Sequence, residues 1–307
     1  MKKIFLIALL NISFTKLNSE KFQLNQIHKW ADVLNIEGGT IPKKLNKNQK
    51  WFNVATVLDK PYIDGIEFDF MSKNKKFDLK ESAINDYNEL QNYFVHITLL
   101  KYCIDNAHIL SNKKNNENVK IVVQVHRPKS GIKYINLLNE IICKAYPEFN
   151  SYKKLPGKLP LEVFIYELPN NININFRYGS APQTLNDYED VDIVISISLV
   201  AGFNPNLKSG DMVIPTKFVP MDLDTMILKF NEKYFVKNYF LEDLEKIVNS
   251  QDINLLTIIN EYFKSPNKTK NLKATKFNMD DFKEVTDLHV NKDFSPSLLP
   301  KEFLIVN

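Results

Sequence analysis

A chain of 307 residues with 44% hydrophobic and 25% charged content can bury a core of ordinary size, which excludes a disordered or low-complexity protein. A net charge of +4 permits contact with anionic partners without demanding it, and 8 Gly against 14 Pro leave little room for Gly-rich phosphate loops.

The chain starts Met1-Lys2-Lys3, continues with the uncharged run Ile4–Leu10, and reaches the small residue Ser19 through a polar stretch. This is the pattern of a short secretory signal over 1–19, so a secreted protein starting near Glu20 is expected. The same run would also suit a buried parallel strand. No later segment approaches the roughly 18 apolar residues of a membrane-spanning helix, so no span is expected.

Residues 20–118 read as a mixed, largely helical region. Gln26–Leu34 suits a short helix that Gly38-Gly39 breaks, and Lys43–Lys50 is a basic, polar loop. Gly65–Met71 alternates apolar and acidic residues like a half-exposed strand. Leu79–Leu110 carries Tyr87, Leu90, Phe94, Ile97 and Leu100 at helical spacing and predicts one or two helices. The charged, Asn-rich stretch Ser111–Asn118 is a candidate boundary.

Residues 119–307 then read as an α/β domain with a helical C-terminal segment. Val119–Val125 is a β-branched run, Ile132–Ala145 an amphipathic helix, and Tyr146–Pro160 a proline-containing loop. Leu161–Leu168, Asn173–Tyr178 and Val191–Leu199 read as strands. Helical pattern returns from Leu241, and Phe303–Val306 suits an edge strand. The fold class expected is α/β, with a central, mostly parallel or mixed sheet flanked by helices. Val119–Val125 and Val191–Leu199 are its expected central strands.

Three turns could carry chemistry. In His126–Gly131 a strand gives way to a helix, whose free N–H groups favour an anion. Arg127, Lys129, Ser130 and Gly131 are therefore candidate binding residues, with His126 an acid or base beside them. The second turn is Arg177-Tyr178-Gly179-Ser180, with Arg177 a second catalytic candidate. The third follows Leu199 and contains Asn204. If the preceding strands are parallel, all three turns share the carboxyl edge of the sheet, where ligands of open α/β sheets bind. A hairpin between Asn173–Tyr178 and Leu161–Leu168, turning at Asn170-Asn171, is the competing arrangement for Arg177.

The third turn lies within Asp192–Phe218, DIVISISLVAGFNPNLKSGDMVIPTKF. This segment resembles the nucleoside phosphorylase and nucleosidase superfamily, whose usual form is a strand, an Ala-Gly-Gly turn, and a Gly-Asp before a second strand. Ala201, Gly202, Gly210 and Asp211 occupy those places, and Phe203 stands where the family has its second Gly. The resemblance implies an α/β sandwich that cleaves N-glycosidic bonds, with Ala201 and Gly202 near substrate; Asn204 is a candidate binding residue through its place in the third turn.

Other constellations are weaker. Glu67 and Asp69 would share a strand face and suit either a hard cation or solvent. The five histidines, His96 in an apolar helical setting among them, lack metal-ligand spacing. Cys103 and Cys143 read as free thiols. No metal and no cofactor is implied. Two functions stay open. One is a secreted enzyme on nucleosides, nucleotides or RNA, a nucleosidase or a metal-independent nuclease toxin, with an anionic small molecule, nucleoside or RNA as partner. The other is a secreted, non-catalytic interaction or effector protein. The oligomeric state is not legible.

Overall fold

A computed structural model describes residues 31–35, 49–59, 89–125, 131–158, 161–179, 190–202, 204–208, 210–221, 234–235, 237–264 and 273–290. The readings of the N-terminal signal, of Gly65–Met71 with Glu67 and Asp69, and of Phe303–Val306 lie outside them.

The fold is α/β, built on a mixed sheet. Its strands are β1 (Val33–Asn35), β2 (Lys50–Asp59), β3 (Val119–Val125), β4 (Lys153–Pro156), β5 (Glu162–Leu168), β6 (Ile172–Tyr178), β7 (Ile193–Gly202), β8 (Met212–Met221), β9 (Tyr234–Phe235) and β10 (Phe282–Val290). The order is β1-β10-β8-β2-β7-β3-β6-β5-β4, with β9 added beside β8. Strands β2, β7, β3 and β6 are mutually parallel. β5 and β4 extend them antiparallel. The sheet also turns back on itself: Val33 and Leu34 of β1 pair antiparallel with Gly202 and Ala201 at the end of β7. Strands β1, β10, β8, β2 and β7 thereby form a closed ring. Its interior is a separate apolar cluster of Val33, Ala55, Val57, Val200, Leu207, Val213 and Val285.

Helices α1 (Glu89–Asp105), α2 (Ala107–Ser111), α3 (Gly131–Ala145), α4 (Tyr239–Glu242), α5 (Leu244–Asn249) and α6 (Ile253–Tyr262) complete the described elements, with short 3-10 turns at Pro147–Ser151 and Met279–Asp281. The main core joins α1, α3, α5 and α6 to one face of the sheet, through Phe52, Val54, Ile121, Val123, Ile193, Ile195 and Phe176. In α3 the buried residues Tyr134, Ile135, Leu138, Ile141, Ile142 and Ala145 recur every three or four positions, the stripe that turns one side of a helix inward. Helix α1 is buried along almost every position from Leu90 to Leu100, so its sequence shows no polar face.

Several sequence expectations meet their elements directly. Val119–Val125 and the Val191–Leu199 run form the adjacent strands β3 and β7. The competing arrangements for Asn173–Tyr178 coexist: β6 is parallel to β3 on one side and antiparallel to β5 on the other. The hairpin turns through Asn170 and Asn171, both at left-handed φ (60° and 58°), which Asn tolerates better than most non-glycine residues.

Other expectations change. Val33–Asn35 is a strand where a helix through Leu34 was expected, and Lys153–Pro156 is a strand within the expected loop. Ser111–Asn118 does not separate sheet from helices, since β2 lies directly beside β7. The segment after Leu241 is helical only to Tyr262, and then supplies β10. β1 and β10 are held by partners far away in sequence, which local pattern does not register, whereas Lys153–Pro156 is an exposed edge strand paired with the neighbouring β5.

Two contacts explain how the strand ends are fixed. β2 and β8 pair only over Ala55–Val213 and Thr56–Met212 and then separate. The Asn238 carboxamide fills that gap: its Nδ2 donates to the Asn53 and Pro215 carbonyls, and its Oδ1 accepts from the Asn53 and Phe240 amides. Asn238→Ala would strand these buried backbone groups and should cost about 2 kcal/mol, read from the urea midpoint. At the start of α3, a Cβ on Gly131 would lie 2.7 Å from Tyr178 Cβ at the end of β6. Gly131→Ala should therefore push α3 off the strand and lower stability by about 1–2 kcal/mol in the same measurement.

Candidate functional site

Because β2, β7, β3 and β6 are parallel, their carboxyl ends at Asp59, Gly202, Val125 and Tyr178 share one edge of the sheet. Register then decides which side chains line up across it. Asn53 stands opposite Ser196, Ser196 opposite Gln124, and Gln124 opposite Arg177, which pairs in turn with Glu162. Directly opposed residues share a face. Their strand neighbours Phe52, Ile195, Val123 and Phe176 point to the helical side, so this polar row occupies the other face.

The row is deeply buried. Gln124 and Ser196 are fully buried, Asn53 and Ser198 nearly so. Ser196 Oγ accepts from Trp51 Nε1 at 3.0 Å, and Gln124 Nε2 donates to the Gly179 carbonyl at 3.3 Å. Ser198 Oγ and Asn53 Oδ1 have no hydrogen-bond partner among the described residues. On the same face, toward the carboxyl ends, Ala55, Val57 and Val200 enter the ring interior. Asp287 shares its strand face with Val285, lies opposite Val33, and is completely buried.

The residues expected from sequence divide into three groups. His126, Arg127, Lys129 and Ser130 lie outside the described residues. Arg177 and Asn204 sit at the expected edge, on the ends of β6 and β7 with β3 between them, and each has intramolecular partners. Arg177 Nη2 donates to Glu162 Oε1 at 2.9 Å, with 6% and 2% of the two side chains exposed. Glu162 is further tied by the Lys158 amide at 2.7 Å and by the Asn175 carboxamide. Asn204 Nδ2 donates to Asp32 Oδ1 at 2.7 Å, while its own Oδ1 accepts from the Asn206 amide in a local turn. Asp32 Oδ2 takes the Thr286 amide, so one carboxylate knits β10, the β7–β8 turn and the entry to β1.

Gly131, Gly202, Gly210 and Asp211 form the third group, and all are built into backbone contacts. Gly131 lets α3 approach Tyr178, and Gly202 makes the β1 pairing. Gly210 has a left-handed φ of 92° and donates its amide to the Val57 carbonyl at 2.7 Å. Val57 N returns a bond to the Asp211 carbonyl, and the Asp211 carboxylate accepts from the Lys208 amide and from Lys283. Ala201 pairs with Leu34 at the ring seam.

The titratable groups on the helical side read as core chemistry. His96 is buried, with Nδ1 2.6 Å from the Tyr134 hydroxyl. Cys103 and Cys143 are free thiols, and burial first, then nearby Asp243, pushes the Cys103 thiol well above its usual range. Among the described residues no three of His, Cys, Asp and Glu gather where they could hold a metal ion, and no helix is long and apolar enough to cross a membrane.

Sequence reading passed over Gln124, Ser196, Ser198, Asn53, Glu162 and Asp287. A usable signal was present: Gln124, Ser196 and Ser198 interrupt the apolar runs VKIVVQV and IVISISLVAG on alternating positions. Comparison with protein families, curated proteins and solved structures finds no match.

Proposed function

We propose that this protein is an enzyme that binds nucleosides or nucleotides at the carboxyl edge of β2, β7, β3 and β6 and cleaves their N-glycosidic bond. One observation carries the reading. The segment that resembles the nucleoside phosphorylase superfamily is also the segment that leads into the ring: it carries Ser196 and Ser198 along the middle of β7 and Gly202 at its carboxyl end. The same ring contains the buried carboxyl group of Asp287.

The chemistry asks for few parts. C1′–N breaks, a C1′–O bond forms to water or phosphate, and the base leaves with a proton. Buried hydroxyl and amide groups suit the sugar and base edges, and a low-dielectric ring strengthens each contact with developing charge. Asp287 is the group on this face that would supply the proton. A secreted location fits the same reading through the N-terminal pattern of the sequence.

The test is base release. Full-length protein is incubated with purine and pyrimidine nucleosides, with and without inorganic phosphate, and free base is quantified by chromatography. Release from at least one nucleoside supports the reading, and its dependence on phosphate separates phosphorolysis from hydrolysis. No release from any of them overturns it.

A further inference from the structure

We infer that Ser198 Oγ and Asn53 Oδ1 form a contact pair for the vicinal hydroxyls of a pentose, on the sheet face away from the helices. For the identity of the ligand, this rests on the nucleoside reading above.

Both atoms belong to the buried polar row on that face. Ser198 is 1% exposed and Asn53 2%, and neither atom has a hydrogen-bond partner among the described residues. A buried polar atom without a partner is costly, and native structures keep few of them without a use. Their neighbour Ser196, equally buried, is satisfied by Trp51. The backbone of Asn53 is held by Asn238, so its side chain is not needed to fix the strand.

Position makes the pair a site. The last β3 residue, Val125, pairs with Ile197, so Ser198 is the first residue of β7 beyond that ladder. On its other side it stands opposite Ala55, two positions after Asn53 on the same face. Strand rise and spacing put the Ser198 and Asn53 Cα atoms about 8 Å apart on one sheet face, a separation that two adjacent hydroxyls on one ring could bridge. Val200, the next residue of β7 on this face, already belongs to the dry ring interior. The pair thus marks the border between polar row and apolar ring, where a ligand with a hydroxylated half and a flat, weakly polar half would fit. Chemically, Asn53 Oδ1 accepts only, while Ser198 Oγ both donates and accepts. Two adjacent hydroxyls satisfy both, one donating to Asn53 and the other exchanging a bond with Ser198.

The experiment measures binding of free ribose, adenosine, uridine and 2′-deoxyadenosine to the wild-type chain, Ser198→Ala and Asn53→Ala by calorimetry, with thermal unfolding of each unliganded protein. The expected result is a Tm for Ser198→Ala at or above wild type, tenfold or greater weakening of the ribosyl ligands in both variants, and a smaller loss for 2′-deoxyadenosine. Unchanged affinity for ribosyl ligands in both variants overturns the inference and leaves the nucleoside reading standing. A lowered Tm with unchanged affinity assigns Ser198 to a structural buried water and also overturns it. Weakened ribose binding in the variants, combined with no base release by wild type, upholds the pair and sinks the cleavage reading. Absence of binding of all four ligands to wild type overturns both.

Discussion

Replacing Arg177 with Met should destabilise the protein by about 3–5 kcal/mol, because it leaves the Glu162 carboxylate buried without its cation. The pair is 2.9 Å apart with almost no side-chain exposure, unlike the surface pairs Lys153–Glu167 and Lys120–Asp190. Exposed pairs of that kind are worth well under about 1 kcal/mol. The buried pair also locks the outer strands, since Glu162 collects the Asn175 carboxamide and the Lys158 amide as well. The double variant Arg177→Met, Glu162→Gln should recover part of the loss, because Gln removes the buried charge and keeps a carbonyl oxygen for one of those donors. Urea unfolding of both variants checks this. If the single variant costs less than about 1 kcal/mol, the pair is not structural and Arg177 becomes available as a ligand contact.

Asp287→Asn should reduce base release by about 10²–10⁴-fold, the usual contribution of a positioned acid or base. Asn preserves the volume and one acceptor oxygen, so the ring should still close and unfolding should stay cooperative. The loss should appear in kcat more than in KM, since proton transfer to the leaving base belongs to the transition state. Base release above about a tenth of wild type would remove Asp287 from the reaction.

Sequence by itself determined a good part of the architecture. The β-branched runs of β3 and β7 and the apolar stripe of α3 are local patterns with a local physical cause, the period of side chains along a strand or helix. The turn at Asn170-Asn171 was legible for the same reason, because Asn tolerates left-handed backbone. The shared edge of β3, β6 and β7 followed once those strands were taken as parallel.

Tertiary structure alone decided the rest. β1 and β10 exist through partners far along the chain, so their own residues carry no sufficient signal. Arg177 and Asn204 looked like ligand contacts because sequence shows a charge or an amide at a turn but not what it meets. Glu162 lies across a hairpin from the first, and Asp32 is 172 residues from the second. Conversely, Ser198, Asn53 and Asp287 looked like ordinary strand residues. Only register places Asn53 two positions from the partner of Ser198 and Asp287 opposite Val33, and only burial turns an unpartnered hydroxyl into a candidate contact. Periodicity is a property of neighbours in the chain, whereas a site is a property of strands brought together by closure of the ring.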